Sequence, residues 1–174
     1  MTDLQYPIGT YTTYAHIDAE ERKKLLQHIA DAPTQLRAAV QGLTEEQLNT
    51  PYRPGGWTVK QVVHHIPDSH LNAYVRMKLA LTEDAPTVKT YEEHLWAELH
   101  DAAHAPIEVS LSLVEALHRR WALFLSSLHA DDFSRTITHP ADGIKTLDQL
   151  LQVYAWHGRH HIAHITSLRK RNNW

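Results

Sequence analysis

The sequence predicts an all-α chain: a bundle of four long helices with a long crossover between the second and the third. Three observations predict it. Threonine is followed three residues later by glutamine at Thr44 with Gln47, Thr58 with Gln61, and Thr146 with Gln149. In this capping-box pattern the hydroxyl and the amide each satisfy a backbone group at a helix start. Apolar residues recur at intervals of three and four through four long stretches, the period of a helix with one buried face. A 43% hydrophobic share of 174 residues is enough for one core, so residues 1–174 are expected to form one domain. Four amphipathic helices in such a chain most often pack as a bundle.

The first helix is expected over 19–41. Asp18 caps it, Glu20 and Glu21 suit its positive end, and Leu25, Leu26, Ile29, Leu36 and Val40 form its inner face. Pro33 should bend it. Residues 49–56, dense in proline and glycine, predict an ordered loop. The second helix, over 59–81, turns Val59, Val62, Val63, Ile66, Tyr74 and Met77 inward, with Pro67 removing one ladder bond and kinking it.

Residues 82–106 form the crossover. Tyr91, Leu95, Trp96 and Leu99 predict a short helix within it, packed down on the bundle. A connection of this length lets the second and third helices run in the same sense. The third helix, over 108–128, carries Leu113, Val114, Leu117, Trp121, Phe124, Leu125 and Leu128. Residues 136–139 have strand character ahead of Pro140 and the Asp142–Gly143 turn. The fourth helix, over 147–170, places Leu147, Leu150, Leu151, Tyr154, Ile165 and Leu168 on one stripe.

Composition excludes several classes. Seventeen basic against 20 acidic residues leave a net charge of −3, which argues against a nucleic-acid binder. No apolar run approaches the ~20 residues of a membrane span, and residues 1–13 lack the pattern of a secretory signal. A cytoplasmic location is the resulting expectation. Cysteine is absent, which removes disulfides, thiolate metal sites and a cysteine nucleophile together.

Histidine is the unusual residue: 15 copies, most of them clustered. His64, His65 and His70 lie on the second helix, His94, His100 and His104 in the crossover, and His157, His160, His161 and His164 on the fourth helix. At 100° per residue, His161 falls at the centre of the fourth helix's apolar stripe. His157 lies one turn earlier on the same face, His164 flanks it, and His160 is turned toward the boundary. Two histidines at i and i+4 on one face can hold a single ion. A lone inward histidine would more simply be a hydrogen-bonded core residue; three within eight positions favour metal. A third ligand is not decided by spacing. His64 and His65 flank the second helix's stripe and His70 lies within it, while Asp68 or Glu93 would instead complete a two-histidine, one-carboxylate site that favours iron. His100 and His104 share the i, i+4 spacing, but a solvated face is the simpler reading there. Trp57 and Trp121 are expected as core anchors, Trp96 and Trp156 as core or pocket residues.

Several segments together resemble the YfiT branch of the DinB-like superfamily: Pro51 through His65 (PYRPGGWTVKQVVHH), Asp68-Ser69-His70, Asn72-Ala73-Tyr74, Lys78 through Glu83, Tyr154 through His161, and Ala163-His164-Ile165. The resemblance covers most of the chain and is weakest at 1–32 and 95–107. It implies a four-helix bundle with a long crossover, a homodimer, and one divalent transition metal held by His65, His157 and His161. The family pattern departs at Pro67, where a small residue is usual.

Three histidines leave an ion its full charge, and such a site suits zinc or nickel, among other ions. The resemblance implies a metal-dependent hydrolase acting on a small molecule with a metal-activated water. The alternative is an S-transferase that takes a low-molecular-weight thiol, such as bacillithiol, as cosubstrate. A different class, a non-catalytic metal-binding structural or sensing dimer, would need a fourth ligand from His64 or His164. Arg53 is a candidate for orienting an anionic substrate, and His164 for moving a proton.

Overall fold

The computed structural model describes residues 3–174. Four long helices dominate it: α1 (Ala19–Val40), α3 (Val59–Thr82), α6 (Ile107–Ser126) and α7 (Leu147–Asn172). Short helices α2 (Glu45–Leu48), α4 (Glu93–Trp96) and α5 (His100–His104), together with a 3₁₀ turn (Ala130–Ser134), fill the connections. All three capping boxes form, at Thr44, Thr58 and Thr146, and Asp18 caps α1 through Glu21 N–H. The hydrophobic spacing therefore located the four helices to within two residues at every end. Strand β1 (Thr136–His139) pairs antiparallel with β2 (Gly143–Thr146) across the expected turn, and β2 leads straight into α7.

Interhelical contacts give the direction of each helix. His64 meets Ser110, His70 meets His118, and Met77 meets Trp121; numbers rise together, so α3 and α6 run parallel. The 24-residue stretch between them is the crossover that this requires. Arg22 with Asp148 and Ala39 with Arg169 make α1 parallel to α7. Arg37 with Glu108 and Ile29 with His118 make α1 antiparallel to α6. This arrangement of two helices up and two down departs from the plain up-down order.

Pro33 and Pro67 both sit inside continuous helices. The crossover differs from expectation. It does hold short helices, but Leu95, Trp96 and Leu99 are exposed, and Val88, Ala97 and Ala102 are the residues that pack down. Segments this short cannot turn every apolar side chain to one face. Leu113 of α6 also points outward, since α6 is covered by α1 and α3 on one side only.

The apolar core lies in two portions. One surrounds Met77, Trp121, Leu125 and Leu151; the other surrounds Leu36, Val63, Ile66, Val114 and Ile165. Between them, at mid-height, lies a layer of histidines. At one end α1 and α7 are joined by a largely buried ion pair, Arg22 Nε and Nη2 donating to the two Asp148 oxygens at 2.9 Å. Asp148 is 1% exposed, so removing its charge strands a guanidinium beside apolar surface. Asp148→Asn is expected to cost about 3 kcal/mol, seen as a lower urea midpoint with an unchanged denaturant slope.

Candidate metal centre

The histidine layer is built by helix geometry. His157 and His161, one turn apart on α7, face α3, which runs antiparallel and places His65 opposite them. One nitrogen from each of the three lies within 4.8 Å of those of the other two, the one such cluster of potential ligands among the described residues. The Nε2 atoms of His65 and His157 stand 3.2 Å apart. Nitrogens bonded tetrahedrally to zinc at about 2.0–2.1 Å lie about 3.4 Å from each other, so this spacing fits two ligands of one ion. His161 Nδ1, like the Nδ1 atoms of His160 and His164, is buried without a hydrogen-bond partner among the described residues. All-nitrogen donors suit a borderline transition metal rather than calcium or magnesium.

Electrostatics keep the cluster uncharged. Loss of hydration pushes His65 down to about 4. Burial, then the neighbouring histidines, hold His157 and His161 well below the usual imidazole range. Neutral imidazole is the form that ligates metal.

The cluster forms the floor of a cavity of about 310 Å³. The loop before α3 makes one wall. Its Tyr52 N–H bonds the Trp57 carbonyl and Val59 N–H bonds the Thr50 carbonyl, which orders the loop as the sequence predicts. Gly55 takes a left-handed φ of +68°, and a Cβ on Gly56 would stand 2.8 Å from Arg53 Cγ. The paired glycines therefore let Arg53 fold back over the loop. Arg53 lines the cavity, and among the described residues its guanidinium bonds the Tyr52 hydroxyl and the Pro54 carbonyl, neither of them an anion. Trp57 departs from expectation in part: half-buried, it packs against the second core portion and also lines the cavity, its ring 4.6 Å from His65. Trp121 is the core anchor, fully buried.

The opposite wall comes from the N-terminal segment. Gln5 offers its carbonyl to His164 Nε2 at 2.9 Å, Gly9 its carbonyl to Trp156 Nε1, and the Tyr6 ring packs on His160. This segment explains a second departure. His160, expected at the boundary, is 7% exposed because Tyr6 and Trp156 cover it. His164 stacks on Tyr52 at 3.9 Å. Its Nε2 is committed to Gln5 and its Nδ1 is buried, a geometry that anchors the segment better than it carries protons to a substrate.

The other candidates lie elsewhere. His64 uses both nitrogens, with Ser110 Oγ and the Ala105 carbonyl. Asp68, raised to about 6 by burial and by Asp101, is outside the cluster, and so is Glu93, although Glu93 lines the cavity. No carboxylate therefore joins the histidines. His100 and His104 are exposed and stack on each other. His70 lies behind His157, bonded to it and to His118. His118 was not legible as a site residue: a single histidine among the apolar positions of α6 has no spacing signal of its own.

A family model for the DinB superfamily matches residues 28–165. The chain belongs to the DinB superfamily. Relatives from Bacillus cereus (strain 03BB102) and Bacillus thuringiensis subsp. konkukian are each 53% identical over the full length of both chains. Both bear the name "Putative metal-dependent hydrolase". The solved structure of YfiT from Bacillus subtilis superposes with a TM-score of 0.96 at 46% identity, over 98% of each chain. It is described as "a probable metal-dependent hydrolase with an unusual four-helix bundle topology". TT2238, another four-helix bundle, is similar in fold alone, with a TM-score of 0.60 at 17% identity over 84% of this chain and 98% of its own. No helix among the described residues is long and apolar enough to cross a membrane.

Neutral histidines in the fold have a cost in acid. An unfolded chain protonates histidine near pH 6.5, whereas folded His65 and His160 resist to about 4. Between those values the unfolded state binds more protons, so stability falls as pH falls. The metal-free protein is expected to lose on the order of a few kcal/mol between pH 7 and pH 4.5, and little between pH 7 and pH 8. Thermal melts in chelator across that range check it.

Proposed function

We propose that this protein is a metal-dependent hydrolase of small molecules, with one divalent ion, zinc or nickel, held by His65, His157 and His161. One observation carries the reading: three neutral imidazoles converge on the floor of an open cavity, and no fourth histidine or carboxylate among the described residues brings a ligand atom into their cluster. Structural metal sites are closed by four protein ligands, whereas catalytic ones keep a position open. A fourth ligand from His64 is disfavoured, because both of its nitrogens are engaged elsewhere. The names of the relatives support the same class of activity.

When bound, the ion supplies Lewis acidity and brings the pKa of water toward neutrality. The remaining work falls to the side chains. Arg53, whose donors meet no anionic partner among the described residues, binds and orients a carboxylate or phosphate on the substrate. Trp57 and Trp156 form apolar walls that keep bulk water from the reacting bond. His164 holds residues 5–9 against the cavity through Gln5. The protein acts as a homodimer in this reading, with Val109 and Leu123 of α6, 60% and 69% exposed, as apolar surface available for contact. A monomeric mass by light scattering at micromolar concentration would contradict that.

Elemental analysis of purified variants tests the site. His65→Ala, His157→Ala and His161→Ala should each lose most of the bound metal, and His64→Ala should retain it. Full occupancy in all three variants would overturn the ligand assignment.

Activity against a panel of esters and amides should disappear in chelator and return with added zinc or nickel. Arg53→Ala should raise KM about ten-fold or more for anionic substrates, the range of a lost charge-assisted hydrogen bond, and leave neutral ones nearly unchanged. The chain has no cysteine, so a sulfur nucleophile would have to arrive as a separate thiol. Thiol consumed in step with an electrophile, with no turnover in its absence, would replace hydrolysis by S-transfer.

A further inference from the structure

His70 and His118 are buried, lie outside the ligand cluster, and connect it to the backbone of α1. The connection begins at Pro33. Within a helix the N–H of residue 33 would bond the carbonyl of residue 29, but proline has no N–H. The Ile29 carbonyl instead receives His118 Nδ1 at 2.6 Å. A carbonyl only accepts, so Nδ1 of His118 carries the hydrogen. A neutral imidazole has one N–H, which leaves His118 Nε2 as an acceptor. His70 Nδ1, 2.7 Å away, must therefore donate to it. By the same step His70 Nε2 accepts from His157 Nδ1 at 3.0 Å. The reverse polarity would set a nitrogen lone pair against the carbonyl oxygen at 2.6 Å and leave a buried acceptor unpaired.

We propose that His118 and His70 are positioning residues: the Ile29 carbonyl, left free by Pro33, fixes His157 in its Nδ1–H form, so that its Nε2 lone pair faces His65 and His161. This rests on the metal-site reading above. The helices are shaped to the relay. The His70 ring has no exposed surface, and a Cβ on Gly158 would stand 3.3 Å from its Cε1. Glycine beside the ligand His157 thus admits the ring that orients it, in the middle of a helix where glycine is otherwise unfavourable. The parallel course of α3 and α6 is what puts His70 and His118 at the same height. Hydrogen bonds behind a ligating histidine hold its ring orientation and tautomer, and here the final acceptor is a main-chain carbonyl.

The test is long-range proton–nitrogen NMR on metal-free, ¹⁵N-histidine-labelled protein at pH 7.5. His118, His70 and His157 should all be Nδ1–H, whereas histidine free in water favours Nε2–H. An Nε2–H form at any of the three overturns the relay, and this measurement needs no variant. Zinc affinity by chelator competition gives the second readout. His118→Leu should release the His157 tautomer and weaken zinc binding by about ten- to hundred-fold. His118→Gln, able to donate to Ile29 and accept from His70, should recover most of the loss. Unchanged zinc affinity in His118→Leu overturns the positioning role. Wild-type protein that shows three Nδ1–H forms yet takes up no zinc would instead overturn the metal site, and the positioning role with it.

Discussion

Every imidazole placed inside this bundle must be neutral, and each N–H it keeps is costly unless it finds an acceptor. That constraint shapes the middle of the molecule. Charged histidines in an apolar interior would cost far more than the fold could offset, so loss of hydration holds His65, His157 and His161 in their unprotonated forms. An unprotonated ring has one donor and one acceptor, which gives each contact a direction. The Ile29 carbonyl sets that direction at one end, and the cavity lies at the other.

The two apolar portions of the core hold this polar layer from above and below. Trp121 and Met77 on one side, Leu36 and Ile66 on the other, are completely or almost completely buried. They provide the burial that offsets the ordering of the histidines. On the α3–α7 side the layer meets a cavity whose walls are raised by the loop bearing Arg53 and by the N-terminal segment. The three clustered histidines project from helices, while Arg53, Gln5 and Tyr6 reach the cavity from connecting segments. Enzymes commonly divide a site in this way.

Much of this architecture is legible in the order of the residues. The Thr-x-x-Gln repeats and the apolar period located four helices to within two residues. The inward face of the fourth helix showed that His157 and His161 enter the core, and the resemblance selected His65 over His64. Spacing alone could not make that selection, since the two flank the same stripe. His64 turns to Ser110 and the Ala105 carbonyl, on α6 and the end of the crossover, and His65 turns to α7. Trp57, His160 and the apolar residues of the crossover were less legible. Their burial depends on segments with no periodicity, as residues 5–9 show for His160.

By itself the sequence determined which segments are helical, where they start, which faces turn inward, and that imidazole enters a face otherwise filled by leucine. Those properties are local, carried by side chains within one or two turns of each other. Only the tertiary structure decided which histidines meet. His118 stands alone among apolar neighbours on α6, and Pro33 reads as a simple helix disturbance. Their connection spans three helices and depends on the direction and height at which those helices pack. A helical period specifies the face that a residue presents, but not the partner that another helix brings to it.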